Sequence, residues 1–125
     1  MKVASVSPKI YVGSPTKNFN EIIGILDSLK ENKVDIVLFP ELCISGYTCG
    51  DLFNHNTLIN ACKKAVDSLV EYSKDYSSHI IIGSPVKEND RLYNCAIHIC
   101  KGEIVKIISK KHLSTNELRW FSEGF

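Results

Sequence analysis

The stretch of the chain with the clearest chemical content runs from Phe39 to Phe53 and reads FPELCISGYTCGDLF. Its carboxylate, Glu41, follows a proline and the short, mainly apolar run Asp35–Phe39. In α/β sheets, the groups that carry out chemistry lie just past the carboxyl ends of buried strands. A poorly solvated carboxylate in that place is a candidate general base. The alternative is a loop carboxylate that accepts hydrogen bonds from nearby backbone N–H groups.

A second candidate is the pair Lys110 and Lys111, which follows the apolar run Glu103–Ser109. An ammonium group at a strand end can stabilise negative charge that develops on a substrate oxygen. The alternative is two solvated lysines at the end of a strand. Each signal is weak by itself. A glutamate and a lysine that follow strand ends in this order nevertheless suggest one shared crevice.

The cysteines do not suggest a metal site. There are five of them, an odd number, and none belongs to a Cys-x-x-Cys pair. Cys95, His98 and Cys100 are close in sequence, but alternation along a strand would point Cys95 and His98 to opposite faces. Reduced, mostly buried cysteines in a cytosolic protein are the better interpretation. We therefore expect no metal ligands in this chain.

Composition and charge are those of an ordinary globular protein. Of the 125 residues, 44% are hydrophobic and 23% are charged, which is too apolar for a disordered chain. The formal net charge of +1 offers no electrostatic footprint for nucleic acid or an anionic membrane. The apolar runs are far too short to span a bilayer, and the N-terminus shows no signal-peptide pattern. We expect a cytoplasmic protein with neither nucleic-acid nor membrane partners.

The elements that would position the two motifs alternate between strand and helix, and a β-hairpin around Lys101-Gly102 follows. The predicted strands are Lys2–Ser7, Asp35–Phe39, His79–Gly83, Arg91–Cys100 and Glu103–Ser109. Amphipathic stripes predict helices from Ser14-Pro15, as N-cap and first turn, to about Asn32, and from about Thr57 to Lys74. The strand Asp35–Phe39 is expected to be buried on both faces. This order predicts an α/β layered fold with a mixed sheet.

The two motifs and the hairpin between them resemble those of the nitrilase superfamily of carbon–nitrogen hydrolases. The similar segments are Phe39-Pro-Glu41, Leu92-Tyr-Asn-Cys-Ala-Ile97, Gly102-Glu-Ile-Val105 and Lys110-Lys-His-Leu113. The resemblance covers nearly the whole chain and implies the N-terminal portion of an α-β-β-α sandwich. It implies a Glu–Lys–Cys catalytic triad in which Glu41 is the general base. The family's K-x-x-L spacing selects Lys110, rather than Lys111, as the oxyanion stabiliser.

A narrower resemblance is to the glutaminase domain of glutamine-dependent NAD synthetases. It rests on Ser7-Pro-Lys9, Val12-Gly13, Ser45-Gly-Tyr-Thr-Cys-Gly-Asp-Leu-Phe53 and Arg119-Trp-Phe121. It implies that Tyr47 helps to shape a glutamine pocket and that Glu117 stands for a further pocket glutamate. Taken alone, Tyr47 can equally be a loop tyrosine that packs its ring. No cofactor is implied for this chain, because ATP and Mg belong to a separate synthetase domain.

The chain departs from the family pattern after Leu113. The family has a proline, an aromatic residue and a longer acidic segment before Arg-Trp-Phe, whereas this chain has only Ser114–Leu118, which leaves the alignment of Glu117 open. The family's nucleophilic cysteine lies beyond Phe125 on this alignment, and no cysteine here follows Lys110. The resemblance therefore implies that residues 1–125 are the N-terminal part of one hydrolase domain, without its remainder and without a synthetase domain.

The function implied for the parent module is hydrolysis of the glutamine side-chain amide, which supplies ammonia for ATP-dependent NAD synthesis. The 125-residue chain alone is expected to be inactive. One alternative is a truncated, inactive paralogue kept as an interaction or structural remnant. The other is a generic amidase or carbamoylase of the same superfamily.

Two structural expectations follow from the resemblance. Glu41 and Lys110, 69 positions apart, should converge at one end of adjacent strands. One sheet face should stay apolar and exposed beside a free strand edge, which predicts either a homo-oligomer, most simply a two-fold dimer, or a chain that is only marginally folded. The partners expected are therefore a small amide, glutamine, and a second copy of the chain.

Overall fold

The computed structural model describes residues 1–124, which form one mixed sheet with helices packed against it. The strands are β1 (Val3–Ser5), β2 (Ile36–Leu38), β3 (His79–Glu88), β4 (Arg91–Cys100) and β5 (Glu103–Ser109). The helices are α1 (Pro15–Leu29) and α2 (Asn56–Tyr72). Short 3-10 turns occupy Lys30–Asn32, Gly50–Asn54, Ser73–Asp75 and Glu117–Arg119. The predicted α/β fold with a mixed sheet is confirmed.

The strand order is β1-β2-β3-β4-β5, with β1, β2 and β3 parallel and the last two strands antiparallel to their neighbours. Crossovers between neighbouring parallel strands are almost always right-handed. Because α1 and α2 both connect strands that step in the same direction across the sheet, they lie on the same face and contact each other. The core lies between helices and sheet, and its fully buried side chains include Ile22, Leu26, Cys62, Leu69, Val37, Ile80, Ile82, Ile97 and Ile99.

The other face of the sheet is open within residues 1–124. Val3 is 54% exposed, Leu38 40% and Ile108 54%. The expectation that β2 is buried on both faces is therefore wrong for the described part of the chain, since Val37 is buried but Leu38 is not. The reason is that both crossover helices cover the same face. The expected exposed apolar face is present, and the homo-oligomer stays a prediction.

Strand β3 extends to Glu88, five residues beyond its predicted end. It forms a second hairpin with β4, in which Glu88 pairs with Arg91 across a two-residue turn. The turn residues Asn89 and Asp90 have φ angles of 50° and 63°. Two left-handed residues match the turn that joins twisted antiparallel strands, and Asn and Asp tolerate them. The extension matters for the site because it places β4 firmly beside β3.

The start of α1 is held by Asn18 rather than by Ser14. Ser14 occupies the N-cap position, but its hydroxyl makes no capping hydrogen bond. The buried Asn18 amide instead bonds to both backbone groups of Tyr11, at 2.7 and 2.9 Å, and donates to Ile44 O at 2.8 Å. These bonds tie α1 to the loop that carries Glu41. Neither α1 nor α2, nor any other helix within residues 1–124, has the length and apolar character needed to cross a membrane.

Candidate active site

The candidate site lies at the end of the sheet where β2 and β5 finish and β4 begins. Glu41 follows β2, Lys110 follows β5, and Asn94 lies in the first half of β4. Because β4 runs opposite to β2 and β5, these three positions meet at one edge. Lys110 Nζ lies 2.8 Å from Glu41 Oε1, across 69 positions of sequence. The predicted convergence of Glu41 and Lys110 is confirmed, but the strands that they follow, β2 and β5, are separated by β3 and β4 and are not adjacent as expected.

The turn that presents Glu41 is clamped against β3. Ile44 N donates to Gly83 O at 3.1 Å, and the Cys43 thiol contacts the backbone of Gly83. A Cβ at position 83 would lie only 2.3 Å from Leu42 N and 2.8 Å from Pro40 O, so only glycine allows this approach. Leu42 itself has a φ of 53°, a left-handed conformation that is uncommon for a bulky residue. The chain tolerates this strain directly beside the candidate base.

Lys110 is held by both its backbone and its side chain. Its N–H donates to Asn94 O at 2.8 Å, and its carbonyl accepts from Gly124 N at 2.9 Å. Its ammonium also lies 3.2 and 3.1 Å from the two carboxylate oxygens of Glu117. The hydrogen bond to Glu41 raises the pKa of Lys110; burial acts in the opposite direction, and the contacts with Glu117 add to the rise. The lysine therefore stays an ammonium at neutral pH, as oxyanion stabilisation requires.

Glu117 lies in the last 3-10 turn and is only 7% exposed. Its N–H donates to Ser114 Oγ at 3.3 Å, while its carboxylate reaches back to Ser114 N at 3.5 Å. Ser-x-x-Glu with these reciprocal contacts is the pattern of a capping box. The sequence Ser114-Thr-Asn-Glu117 has this pattern, so the turn could have been predicted from it. Burial acts to raise the pKa of Glu117, but hydrogen bonds from Lys110 and Ser114 outweigh it and leave the pKa lowered. The shortened segment still brings this carboxylate into the site.

One carboxylate oxygen of Glu117 can accept a further hydrogen bond. Oε2 is buried and, although Lys110 Nζ lies 3.1 Å away, no well-aligned hydrogen bond reaches it from residues 1–124. A buried carboxylate oxygen without an aligned donor is unfavourable by about 1–3 kcal/mol, so Oε2 would gain from a further hydrogen-bond donor. Tyr47 lies beside it, and its side chain is half exposed. Burial raises the pKa of Tyr47, and the charge of Glu117 together with a hydrogen bond to its carboxylate raises it further.

The residue that sequence reasoning missed is Asn94. Its side chain is buried, and its Nδ2 donates to Glu41 Oε1 at 2.6 Å. The segment Leu92–Ile97 was recognised only for its likeness to a family motif. An amide side chain within the mainly apolar stretch Leu92–Ile97 was the available signal, because buried polar groups need partners.

An open cleft of about 350 Å³ adjoins the charged cluster on the uncovered face of the sheet. Its apolar walls include Leu38, Ile81 and Ile108, and its polar end is formed by Glu41, Asn94 and Lys110. Apolar walls with a few convergent polar groups are the usual form of a small-molecule site. The arrangement suits a ligand with an aliphatic part and an amide or carboxylate end.

The thiols near the site are not activated nucleophiles. Burial raises the pKa of Cys43 to about 11 and that of Cys95 to about 11. Burial also raises the pKa of Cys49. A nucleophilic cysteine needs its thiolate form, which a pKa well above neutral disfavours. The site in residues 1–124 therefore contains a candidate base and a candidate oxyanion stabiliser, and the cysteines nearest to them are not activated.

The comparisons with known proteins agree on one family. The model of the family described as carbon-nitrogen hydrolase matches residues 2–123. The chain is 35% identical over 118 residues to a glutamine-dependent NAD(+) synthetase of Aquifex aeolicus, covering 90% of this chain and 20% of that protein. It is 29% identical over 115 residues to the enzyme of the same name from Mycobacterium leprae, covering 92% and 17%. The chain thus spans about a fifth of the length of these relatives.

Solved structures share the fold. The glutamine-dependent NAD+ synthetase of Acinetobacter baumannii superposes with a TM-score of 0.89 at 25% identity, covering 98% of this chain and 24% of that one. An amidase from a Nesterenkonia species superposes with a TM-score of 0.84 at 18% identity, covering 100% and 48%, which shows the fold alone. The match over residues 2–123, together with the nitrilase-type sheet and the Glu–Lys pair at its edge, places this chain in the carbon–nitrogen hydrolase family.

Proposed function

We propose that this chain forms the base and oxyanion side of a glutaminase site, which releases ammonia for ATP-dependent NAD synthesis in a longer protein. The observation that carries the proposal is the Lys110 ammonium, 2.8 Å from Glu41 and 3.1 Å from Glu117. The similarity to NAD synthetases supports glutamine as the substrate, because it extends over nearly the whole chain. The cleft beside the cluster is large enough for a small amide.

In the proposed mechanism, the nucleophile is a cysteine outside residues 1–125. Glu41 takes its thiol proton, the thiolate attacks the carbonyl carbon of the amide, and Lys110 stabilises the tetrahedral oxyanion. Glu41 returns the proton to the leaving nitrogen, so ammonia departs and a thioester remains. Water, deprotonated by Glu41, then hydrolyses the thioester and regenerates the thiol.

Glu117 and Tyr47 hold the substrate amide in this scheme. Glu117 Oε2 is the buried acceptor without an aligned donor, and the NH₂ group of a carboxamide can supply one. Tyr47 presents a hydroxyl beside the same carboxylate. Together they would orient the amide so that its carbonyl oxygen faces Lys110.

The test is ammonia release from L-glutamine by the protein encoded by the complete reading frame that contains these residues. Glu41→Gln and Lys110→Met are each expected to lower kcat by about 10³-fold or more, because base and oxyanion stabiliser act as a unit with the nucleophile. The matched control is Lys111→Met, which removes the neighbouring lysine and should leave the rate unchanged. Equal loss in the Lys110 and Lys111 variants would contradict the assignment.

The 125-residue chain tested alone should release no ammonia, since its thiols near the site are buried and protonated. Turnover that disappears in the Glu41→Ala variant would show that one of these thiols is competent after all. The same result would remove the need for a nucleophile from elsewhere.

A generic amidase is the second candidate, and the apolar walls of the cleft at Leu38, Ile81 and Ile108 favour it. Propionamide and an N-carbamoyl amino acid, assayed beside glutamine, separate the two. A preference for glutamine by kcat/KM supports the glutaminase, whereas a preference for the aliphatic amide supports the amidase. No turnover of any amide by the complete protein would favour the inactive remnant.

A further inference from the structure

We infer that Asn94 is a positioning residue that directs one chosen oxygen of Glu41 toward the reaction. The inference rests on two contacts made by one residue. Asn94 Nδ2 donates to Glu41 Oε1 at 2.6 Å, and Asn94 O accepts from Lys110 N at 2.8 Å. A single position of β4 therefore links the candidate base to the backbone of the candidate oxyanion stabiliser.

The two donors to Glu41 select between its oxygens. Asn94 and Lys110 both donate to Oε1, at 2.6 and 2.8 Å, and within residues 1–124 no hydrogen bond reaches Oε2. An oxygen that already accepts two hydrogen bonds, one from a cation, is a poor proton acceptor. Oε2 keeps its lone pairs available. It is thus the atom that takes and returns the proton.

Burial explains why Asn94 can hold this orientation. Its side chain is 4% exposed, so water cannot easily replace the carboxylate as the partner of its amide. Glu41 and Lys110 are both partly exposed. Without a fixed donor, the Glu41 carboxylate could rotate and offer either oxygen to Lys110. Asn94 removes that freedom, and a base misplaced by about 1 Å can cost about 10²-fold in rate.

The position of Asn94 is fixed by strand pairing on both sides of β4. It pairs with Pro85 in the β3–β4 ladder, and the next residue pairs with Ser109 in the β4–β5 ladder. Both ladders meet at the point where Glu41 and Lys110 arrive. The positioning residue therefore belongs to the rigid sheet, while the base it orients belongs to a loop.

The first test examines the contact itself by NMR of the isotopically labelled 125-residue chain, and requires no activity. The side-chain amide resonances of Asn94 are expected to shift in Glu41→Ala and to stay in place in Glu31→Ala, which removes an exposed carboxylate in the turn after α1. A through-hydrogen-bond coupling from Asn94 Nδ2 to the Glu41 carboxylate carbon is expected in the unmodified chain and is lost in Glu41→Ala. Unchanged Asn94 resonances together with no coupling would overturn the inference.

The second test rests on the function proposed above and uses the complete protein. Asn94→Leu keeps the approximate size but removes the donor, and kcat for amide hydrolysis should fall about 10²-fold with KM within about twofold. The control Tyr76→Phe removes a different buried hydrogen bond, from Tyr76 to Leu26 O at the opposite edge of the sheet. It should lower the melting temperature and leave kcat unchanged.

A third variant covers the case in which Asn94→Leu fails to fold. Asn94→Asp has nearly the same shape, but at neutral pH it places a second carboxylate against Glu41 Oε1. Its activity relative to the unmodified protein should rise as the pH falls and the new carboxyl becomes a donor. Wild-type kcat in both Asn94 variants would overturn the inference. If the unmodified protein hydrolyses no amide, the proposed function fails, and the NMR experiment alone decides whether Asn94 orients Glu41.

Discussion

The two faces of the sheet are built by the same strands but differ in what covers them. On the helix face, Ile80, Ile82 and Ile97 are fully buried beneath α1 and α2. On the open face, Val3 and Ile108 remain more than half exposed. Because side chains alternate along each strand, composition alone does not produce this difference; the common handedness of the two crossovers does. The candidate cleft opens on the uncovered face, so the site and the exposed apolar surface are neighbours.

The largest expected effect comes from the covered face. Ile80→Ala should lower the free energy of unfolding by about 2–5 kcal/mol, because it leaves a cavity in a packed core. Ile108→Ala, on the open face, should change it by less than about 0.5 kcal/mol in a monomer. Urea denaturation of both variants at low protein concentration measures the contrast. Similar losses would mean that the open face is covered in solution.

The next effect concerns the contact between β3 and the Glu41 loop. Gly83→Ala should destabilise the chain by about 1–3 kcal/mol, since the new Cβ would lie 2.3 Å from Leu42 N. It should also displace Glu41 from Lys110. The matched control is Gly24→Ala on α1, where a Cβ meets nothing within 4 Å, and there a gain of about 0.5–1 kcal/mol is expected. A neutral Gly83→Ala variant would show that the loop yields easily.

A smaller effect is the pH dependence contributed by Glu117. Its pKa is lowered in the folded chain, so its carboxylate adds stability above the unfolded pKa of about 4.3, and this is lost as the pH falls through the folded value. The pKa of Lys110 is raised, so its contribution is present below about pH 10 and lost as the pH rises through the folded value. The free energies of unfolding of Glu117→Gln and of the wild type, measured across pH 3–7, should therefore converge at acid pH. A difference independent of pH would contradict this.

A charge introduced on the open face should change the stability of the monomer least. It should nevertheless change the oligomeric state. Ile108→Lys should leave the free energy of unfolding nearly unchanged while it prevents association through that face. Light scattering over a concentration series should show a dimer for the unmodified chain and a monomer for the variant. Lys64→Glu on the outer side of α2 serves as the control for a change of charge elsewhere. An unmodified chain that stays monomeric at high concentration would contradict the homo-oligomer prediction.

Local patterns of the sequence predicted most of the elements. Apolar spacing placed both helices within a few residues, and the hairpin around Lys101-Gly102 has the predicted strands. Glu41 and Lys110 could be recognised in the sequence because each of these charged residues closely follows an apolar run. The missed β3 extension depends on pairing with β4 across the Asn89-Asp90 turn, and the role of Asn18 depends on one polar side chain with several possible partners. Periodicity carries no information about such partners.

What the sequence determined by itself was the order of strands and helices, the residue types available for chemistry, and the resemblance to a family. The resemblance predicted that Glu41 and Lys110 meet across 69 positions, but only the tertiary structure decided that Asn94 bonds to the same oxygen of Glu41 as Lys110 does. It also decided that the shortened segment carries Glu117 to the same ammonium. The physical reason is that spacing along a chain specifies neighbours a few residues apart. Distances across a sheet are set by strand register and by the handedness of the crossovers, which arise when the whole sheet assembles.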